Sequence, residues 1–326
     1  MADDRSLSGS PALTSVVMWR IETRRELADT DLDGVKRLLA DAAEFDGFRA
    51  LSDHLWLDLL RRGGPGFAAV LAFDQANILC GYAQLATGNM STTVEVVIAS
   101  SQRAGSAELT PLLLRAALDV VAADGGGRVH WWVHRPHESA DQMAADVGLV
   151  RGRRLLQLRR TLPISDDTTI VTRAFVVGRD EAEWLRVNNA AFHDHPEQGR
   201  WTLDTLQQRE AEPWFDPAGF RLHERDGVLA GFCWTKVHRD MSPAMGEIYV
   251  IAVDPPFHGL GLGKSLTIAG LDYLAAQGLT VGMLHVDAAN VAALSLYERL
   301  GFSIHHADHA YVRDVADLKI TSGVHP

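Results

Sequence analysis

Cysteine is nearly absent from this chain: Cys80 and Cys233 are the only two. Two cysteines cannot build a disulfide framework, and with no Cys-x-x-Cys pair to hold zinc they point to a reducing cytoplasmic setting. No apolar run approaches the roughly 18 residues of a membrane span. Acids also stand near the N-terminus, where a secretion signal needs basic residues. Positive charge is in deficit as well, with 31 Lys and Arg against 42 Asp and Glu, a net of −11. That balance argues against nucleic acid or an anionic membrane as a partner. What is present is ordinary: 47% hydrophobic and 22% charged residues, with 28 Gly and 12 Pro, which excludes collagen, coiled coil and wholesale disorder. A length of 326 residues exceeds the roughly 250–300 at which one core stops growing, so two cores are expected, in a monomer.

Residues 1–15 read as a disordered tail, and 321–326 as another. Between them a helical pattern opens at Thr30-Asp31-Leu32 and runs through Val35, Leu38 and Leu39, and a second runs through Leu51, Leu55, Leu57 and Leu60. Strands follow at 67–73, 78–86 and 93–99, then a helix over 109–123, a Gly125-Gly126-Gly127 stop, a strand at 129–133, a helix near 139–145 and a strand pair around 151–161. After the 162–167 linker the order repeats, with helices at 181–191 and 203–212 and strands at 219–224 and 228–238. Ile78-Leu79-Cys80-Gly81-Tyr82 matches Val228-Leu229-Ala230-Gly231-Phe232, and Gly148-Leu149 matches Gly301-Phe302. Landmarks recurring in order indicate a duplicated α/β domain, at 16–161 and 168–320.

Chemistry concentrates in the second copy. The strand 246–253 leads through Asp254-Pro255-Pro256-Phe257 into His258-Gly259-Leu260-Gly261-Leu262-Gly263-Lys264. Glycines let such a turn fold tightly, and the free N–H groups of the following helix converge where its dipole favours a phosphate. The spacing is not that of a P-loop or of a dinucleotide-binding fingerprint. A strand over 280–286 then leads into Asn290-Val291-Ala292-Ala293-Leu294-Ser295-Leu296-Tyr297-Glu298-Arg299-Leu300-Gly301-Phe302. Glu247, on the strand before the turn, suits a general base for an amine nucleophile, and Tyr297 suits an acid for a leaving thiolate. The histidines 193, 195, 305, 306 and 309 lack metal-ligand spacing, so no metal is expected. Cys80 and Cys233 fit core positions, and at least one of Trp131 and Trp132 should be buried.

The glycine-rich turn together with the Asn-x-x-Ala-x-x-x-Tyr helix resembles the GNAT superfamily of acetyl-CoA-dependent N-acetyltransferases. One departure is His258, where Arg or Gln is usual. The resemblance implies two tandem α/β acetyltransferase domains, each a mixed, mostly antiparallel sheet with helices on both faces. It implies acetyl-CoA as co-substrate, held by Ile251, Ala252 and Val253, by the loop His258, Gly259, Leu260, Gly261, Leu262, Gly263 and Lys264, and by Asn290, Ala293 and Ser295. In the first copy Gln102, Gly105 and Ala107 keep the loop pattern and imply a possible second coenzyme A. There the counterparts of Glu247, Asn290 and Tyr297 are Ser91, His137 and Ala144, so that copy reads as degenerate. Over nearly the whole chain, with Asn188–Gly199 and Trp234-Thr235-Lys236-Val237-His238, the sequence is similar to the mycothiol synthase family. That likeness implies desacetylmycothiol as the acetyl acceptor, with Glu247 as base and Tyr297 as acid. It implies substrate contacts from Asp46, Glu197, Lys236, Glu247 and His285, the last standing where a tyrosine is expected.

Overall fold

A computed structural model describes residues 19–88, 91–193, 198–239 and 241–318. Both expected tails lie outside them. In chain order the elements are β1 (Arg20–Arg24), α1 (Asp29–Asp46), α2 (Asp53–Leu60), β2 (Phe67–Phe73), β3 (Leu79–Thr87), β4 (Thr92–Ile98), α3 (Ser106–Ala123), β5 (Gly127–Val133), α4 (Ser139–Ala145) and β6 (Val150–Thr161). They continue as β7 (Arg173–Ala174), α5 (Glu181–Ala191), α6 (Leu203–Glu210), β8 (Phe220–Arg225), β9 (Val228–His238), β10 (Met245–Val253), α7 (Leu262–Ala276), β11 (Val281–Asp287), α8 (Val291–Arg299) and β12 (Ser303–Val315). The contacts group into two compact units, Met1–Ala86 with Glu95–Val120, and Thr87–Val94 with Val121–Pro326.

In the first unit the strands run in the order β1-β2-β3-β4, with β2 antiparallel to both β1 and β3. Leu32, Val35, Leu38, Leu39 and Ala42 bury one stripe of α1, and with Leu55 and Leu59 they pack on Phe67, Ala69, Leu71 and Tyr82. Leu60, expected on the apolar face of α2 with Leu55 and Leu57, is 43% exposed. The i, i+4 spacing of Leu55 and Leu59 sets the inward face of α2, and Leu60 falls one residue past it.

In the second unit the order is β5-β12-β6-β11-β10-β9-β8-β7. Its pairs are antiparallel except β10 with β11. The region 151–161, read as a strand pair, is the single twelve-residue strand β6, hydrogen-bonded to β11 along one edge and to β12 along the other. Gly152 makes no turn there. Its missing Cβ leaves room for Val312, whose side chain would sit 2.7 Å from it. Trp131 and Trp132 are both buried, as are the free thiols of Cys80 and Cys233.

Helix α7 covers β9 and β10 through Leu266, Ile268, Leu271 and Leu274, which pack with Ile248 and Cys233; a fully buried leucine contributes about 1.5–3 kcal/mol. The approach is close enough that a Cβ on Gly270 would lie 2.4 Å from the Cys233 sulfur, so glycine is required at that crossing. The feature that positions the site is a divergence of strands. The parallel pairing of β10 and β11 spans Gly246–Ile248 against Gly282–Leu284. Past it β10 continues to Val253 along β9, after an irregularity between Ile248 and Val250, while β11 continues to Asp287 along β6.

Candidate active site

The wedge between the parting strands is where backbone groups of a sheet lose their partners and become available to a ligand. Ile251, Ala252 and Val253 lie on its β10 side. Directly beyond, a 3-10 turn over Pro255–Phe257 leads to His258, whose ring bonds the Val253 carbonyl at 3.0 Å. Gly259 and Gly261 then take left-handed φ values of 82° and 75°, each with open space where a Cβ would stand, and α7 starts at Leu262. Two left-handed residues separated by one form a bend that only glycine enters without strain, and the first N–H groups of α7 open toward it. This bend suits a pyrophosphate: shape, N–H groups and helix dipole all favour an anion. Lys264 pairs with Asp166 at 3.0 Å. Gly263 approaches the Leu296 side chain of α8, the helix that carries Ala293, Ser295 and Tyr297.

Asn290 caps α8, its side-chain oxygen accepting from the Ala293 N–H at 3.1 Å. This satisfies one of the orphan donors of the first turn and ties the end of the wedge to the helix. Tyr297 is buried, packed edge-on against Phe302 at 5.7 Å. Burial pushes its hydroxyl well above the usual phenol range, so the group holds its proton at neutral pH.

Glu247 lies on β10 opposite Lys236 of β9 and Met283 of β11, and is 7% exposed. One carboxylate oxygen meets His238 Nε2 at 2.7 Å and the other meets His285 Nδ1 at 2.9 Å. Burial works to raise this carboxyl. The hydrogen bonds from the two histidines and their charge overcome it and hold the group well below the ordinary carboxylate range. For His285, burial works downward, but the bond and charge of Glu247 prevail and lift it above the ordinary imidazole value. Lys236 is 2% exposed, with its ammonium 4.5 Å from the Trp214 ring centre and 5.4 Å from that of Tyr249, close enough for cation–π attraction.

The structure thus brings Lys236, Glu247 and His285 onto neighbouring strands, and the loop, Asn290 and Tyr297 onto the elements that follow. Asp46 ends α1 in the first unit, ion-paired with Arg103. Glu197 lies outside the described residues. Gln102 and Gly105 sit in a 3-10 turn over Ser100–Gly105, and Ala107 in the first turn of α3. Among the described residues no group of three or more His, Cys, Asp or Glu is placed to hold a metal ion, and no helix is long and apolar enough to cross a membrane. The sequence reading passed over His238, Gln157 and Arg159. For His238 a signal existed: on a strand ending at 238 it shares a face with Lys236. Gln157 and Arg159 had none, because they reach the site through the pairing of β6 with β11.

The sequence pattern of the acetyltransferase (GNAT) family matches residues 184–302. The mycothiol acetyltransferase of Thermobispora bispora is 43% identical over 300 residues, covering 89% of this chain and 99% of that protein. That of Streptomyces coelicolor is 43% identical over 299 residues, covering 89% and 94%. Among solved structures, a GCN5-related N-acetyltransferase from Sphaerobacter thermophilus superposes with a TM-score of 0.64 at 21% identity, covering 91% of this chain and 98% of that one. A tandem GNAT protein from the clavulanic acid biosynthesis pathway does so with a TM-score of 0.65 at 14% identity, covering 92% and 99%. These two likenesses concern the fold alone. With identity above 40% sustained over most of both chains, the protein belongs to the mycothiol acetyltransferase family of GNAT acetyltransferases.

Proposed function

We infer that the chain transfers the acetyl group of acetyl-CoA to the cysteinyl amine of desacetylmycothiol, giving mycothiol and coenzyme A by direct attack without a covalent enzyme intermediate. The observation that carries this reading is Glu247. It is a buried, ionised carboxylate at the mouth of a strand wedge, one loop away from a left-handed glycine bend, in a chain so similar to mycothiol acetyltransferases.

An α-amino group titrates near 7.7–8.0, so at neutral pH much of it is ammonium and must lose a proton before it can attack. Glu247 draws that ammonium in and takes the proton, directly or through a water. Tyr297 holds the proton that the departing sulfur needs. Acetyl-CoA, when bound, supplies an activated acyl carbon. Ile251, Ala252 and Val253, the bend at 258–263, Lys264, Asn290, Ala293 and Ser295 hold it in line with the amine. Holding the two reactants together is itself worth up to about 7–11 kcal/mol of barrier. Glu197 and Lys236 serve the acceptor, the first supplying an anion for its ammonium and the second a donor for its hydroxyls and amide, while His285 holds Glu247. The catalytic half is the second, and the first serves as scaffold.

Initial rates of coenzyme A release test this reading. Purified protein should acetylate the cysteinyl pseudodisaccharide far faster than an aminoglycoside or a peptide amine. A reversed preference would leave only N-acetyl transfer in place, and no release with any amine would make the protein an acetyl-CoA binder.

A further inference from the structure

Three side chains behind the carboxylate are joined in one direction, and a fourth meets its other oxygen. Arg159 Nε donates to Gln157 Oε1 at 2.8 Å. A guanidinium has no lone pair to offer, so this contact fixes which end of the Gln157 amide faces Arg159. The amide nitrogen is then turned to His285 Nε2, 3.2 Å away. Being a donor, it requires that ring nitrogen to accept, so the imidazole proton sits on Nδ1, which faces Glu247 at 2.9 Å. On the other carboxylate oxygen His238 Nε2 stands at 2.7 Å. Gln157 and His238 are buried, at 6% and 8% exposure, so water does not readily substitute for either contact.

We propose that Arg159, Gln157 and His238 are positioning residues that grip Glu247, the first two through a one-way chain of donors that runs through a neutral His285 carrying its proton on Nδ1, and His238 directly on the other oxygen. The proposal rests on Glu247 being the base of the acetyl transfer. Its consequence is a carboxylate held ionised and fixed in orientation, with each oxygen keeping one lone pair for the incoming ammonium. The chain also has a breaking point. A second proton on His285 would set an N–H against the Gln157 amide N–H₂. Turning that amide would set the same group against Arg159. His285 feels Glu247 of β10, Asp308 of β12 and His134 just beyond β5, and His306 of β12; one step away, His238 and Lys236 of β9 face Glu247 and Arg159 of β6 faces Gln157. Asp308 favours the imidazolium and His134 opposes it, and the sum with Glu247 is upward. The chain is therefore intact at alkaline pH and lost as pH falls through a value above the ordinary imidazole value of about 6.5.

Three measurements test it. At pH 9 the ¹⁵N imidazole spectrum of the full chain, read without substrate, should place the His285 proton on Nδ1; a proton on Nε2 overturns the proposal. Gln157→Glu turns the donor facing Nε2 into an acceptor and favours the imidazolium. The acid limb of the kcat profile should move to higher pH, with kcat at pH 7.5 down roughly tenfold, while KM for acetyl-CoA holds. A wild-type profile in that variant overturns the proposal. His238→Gln, which keeps a donor near the Nε2 position, should keep most of kcat, whereas His238→Phe should lose about 10²-fold; equal loss from both contradicts the donor role. Because the spectrum needs no turnover, failure of the chain is distinguishable from failure of the acetyl-transfer reading, which would show as no coenzyme A release by the unaltered protein.

Discussion

The two glycine-containing loops that follow β4 and β10 carry similar residue patterns and fold differently. After β10 the chain makes a short 3-10 turn, two left-handed glycines, and only then α7. After β4 a 3-10 turn over Ser100–Gly105 runs straight into α3. Gly105 there has an ordinary φ, with the Trp19 ring 3.6 Å from where its Cβ would be. The start of that turn is already occupied: Asp41 accepts from the Ser100 N–H and from its hydroxyl, both at 2.7 Å. The lesson is that a spacing of glycines becomes an anion cradle only where left-handed backbone is used. In the first loop Arg103 stands where the second has Gly259, and a left-handed bend at that position would cost roughly 1–2 kcal/mol.

The largest effect expected from this contrast comes from one charge placed in each loop. Gly261→Glu adds a side chain at a φ of 75° and a carboxylate in the bend proposed for the pyrophosphate, and should abolish acetyl transfer. Gly105→Glu meets neither obstacle and should leave most of the activity. Equal loss in a coupled assay would mean that the two loops act together. Next in size, Glu247→Gln should lower kcat by roughly 10²–10⁴-fold, the range for a lost general base, with acetyl-CoA binding by calorimetry little changed. Unchanged turnover would remove Glu247 from the mechanism.

The smallest effect concerns stability. The hydrogen bonds from the Ser100 hydroxyl and N–H, aided by Arg103, hold the Asp41 carboxyl below its ordinary value. A depressed carboxyl contributes stability above the unfolded value, about 3.9, and loses it as pH falls through the folded one. Asp41→Asn should therefore lower Tm slightly at pH 7, by an amount that shrinks below about pH 3.9, with no change in kcat. A Tm difference that grows on acidification would contradict the assigned bonds.

Much of the fold was legible from the sequence because its signals are local. The strand read over 228–238 has its observed limits, and the stripe of Leu32, Val35, Leu38 and Leu39 gave α1 its buried face. Long-range pairing was not legible. Nothing in 151–161 reveals that it forms one strand between β11 and β12, and so nothing reveals that Gln157 stands opposite His285. The site divides in the same way. Glu247, Tyr297 and the glycine bend announce themselves by residue type and spacing, whereas the groups that orient Glu247 arrive from other strands. The divergence of β10 from β11 is a property of the sheet and has no residue of its own.

A co-crystal with acetyl-CoA tests the central claim, that the second half is the catalytic one, most directly. The account predicts pyrophosphate oxygens within hydrogen-bonding distance of the backbone N–H groups of residues 259–263, and the thioester in the wedge between β10 and β11 on the approach to Glu247. Cofactor density confined to the 100–107 loop, with the bend at 259–263 empty at saturating acetyl-CoA, would contradict it.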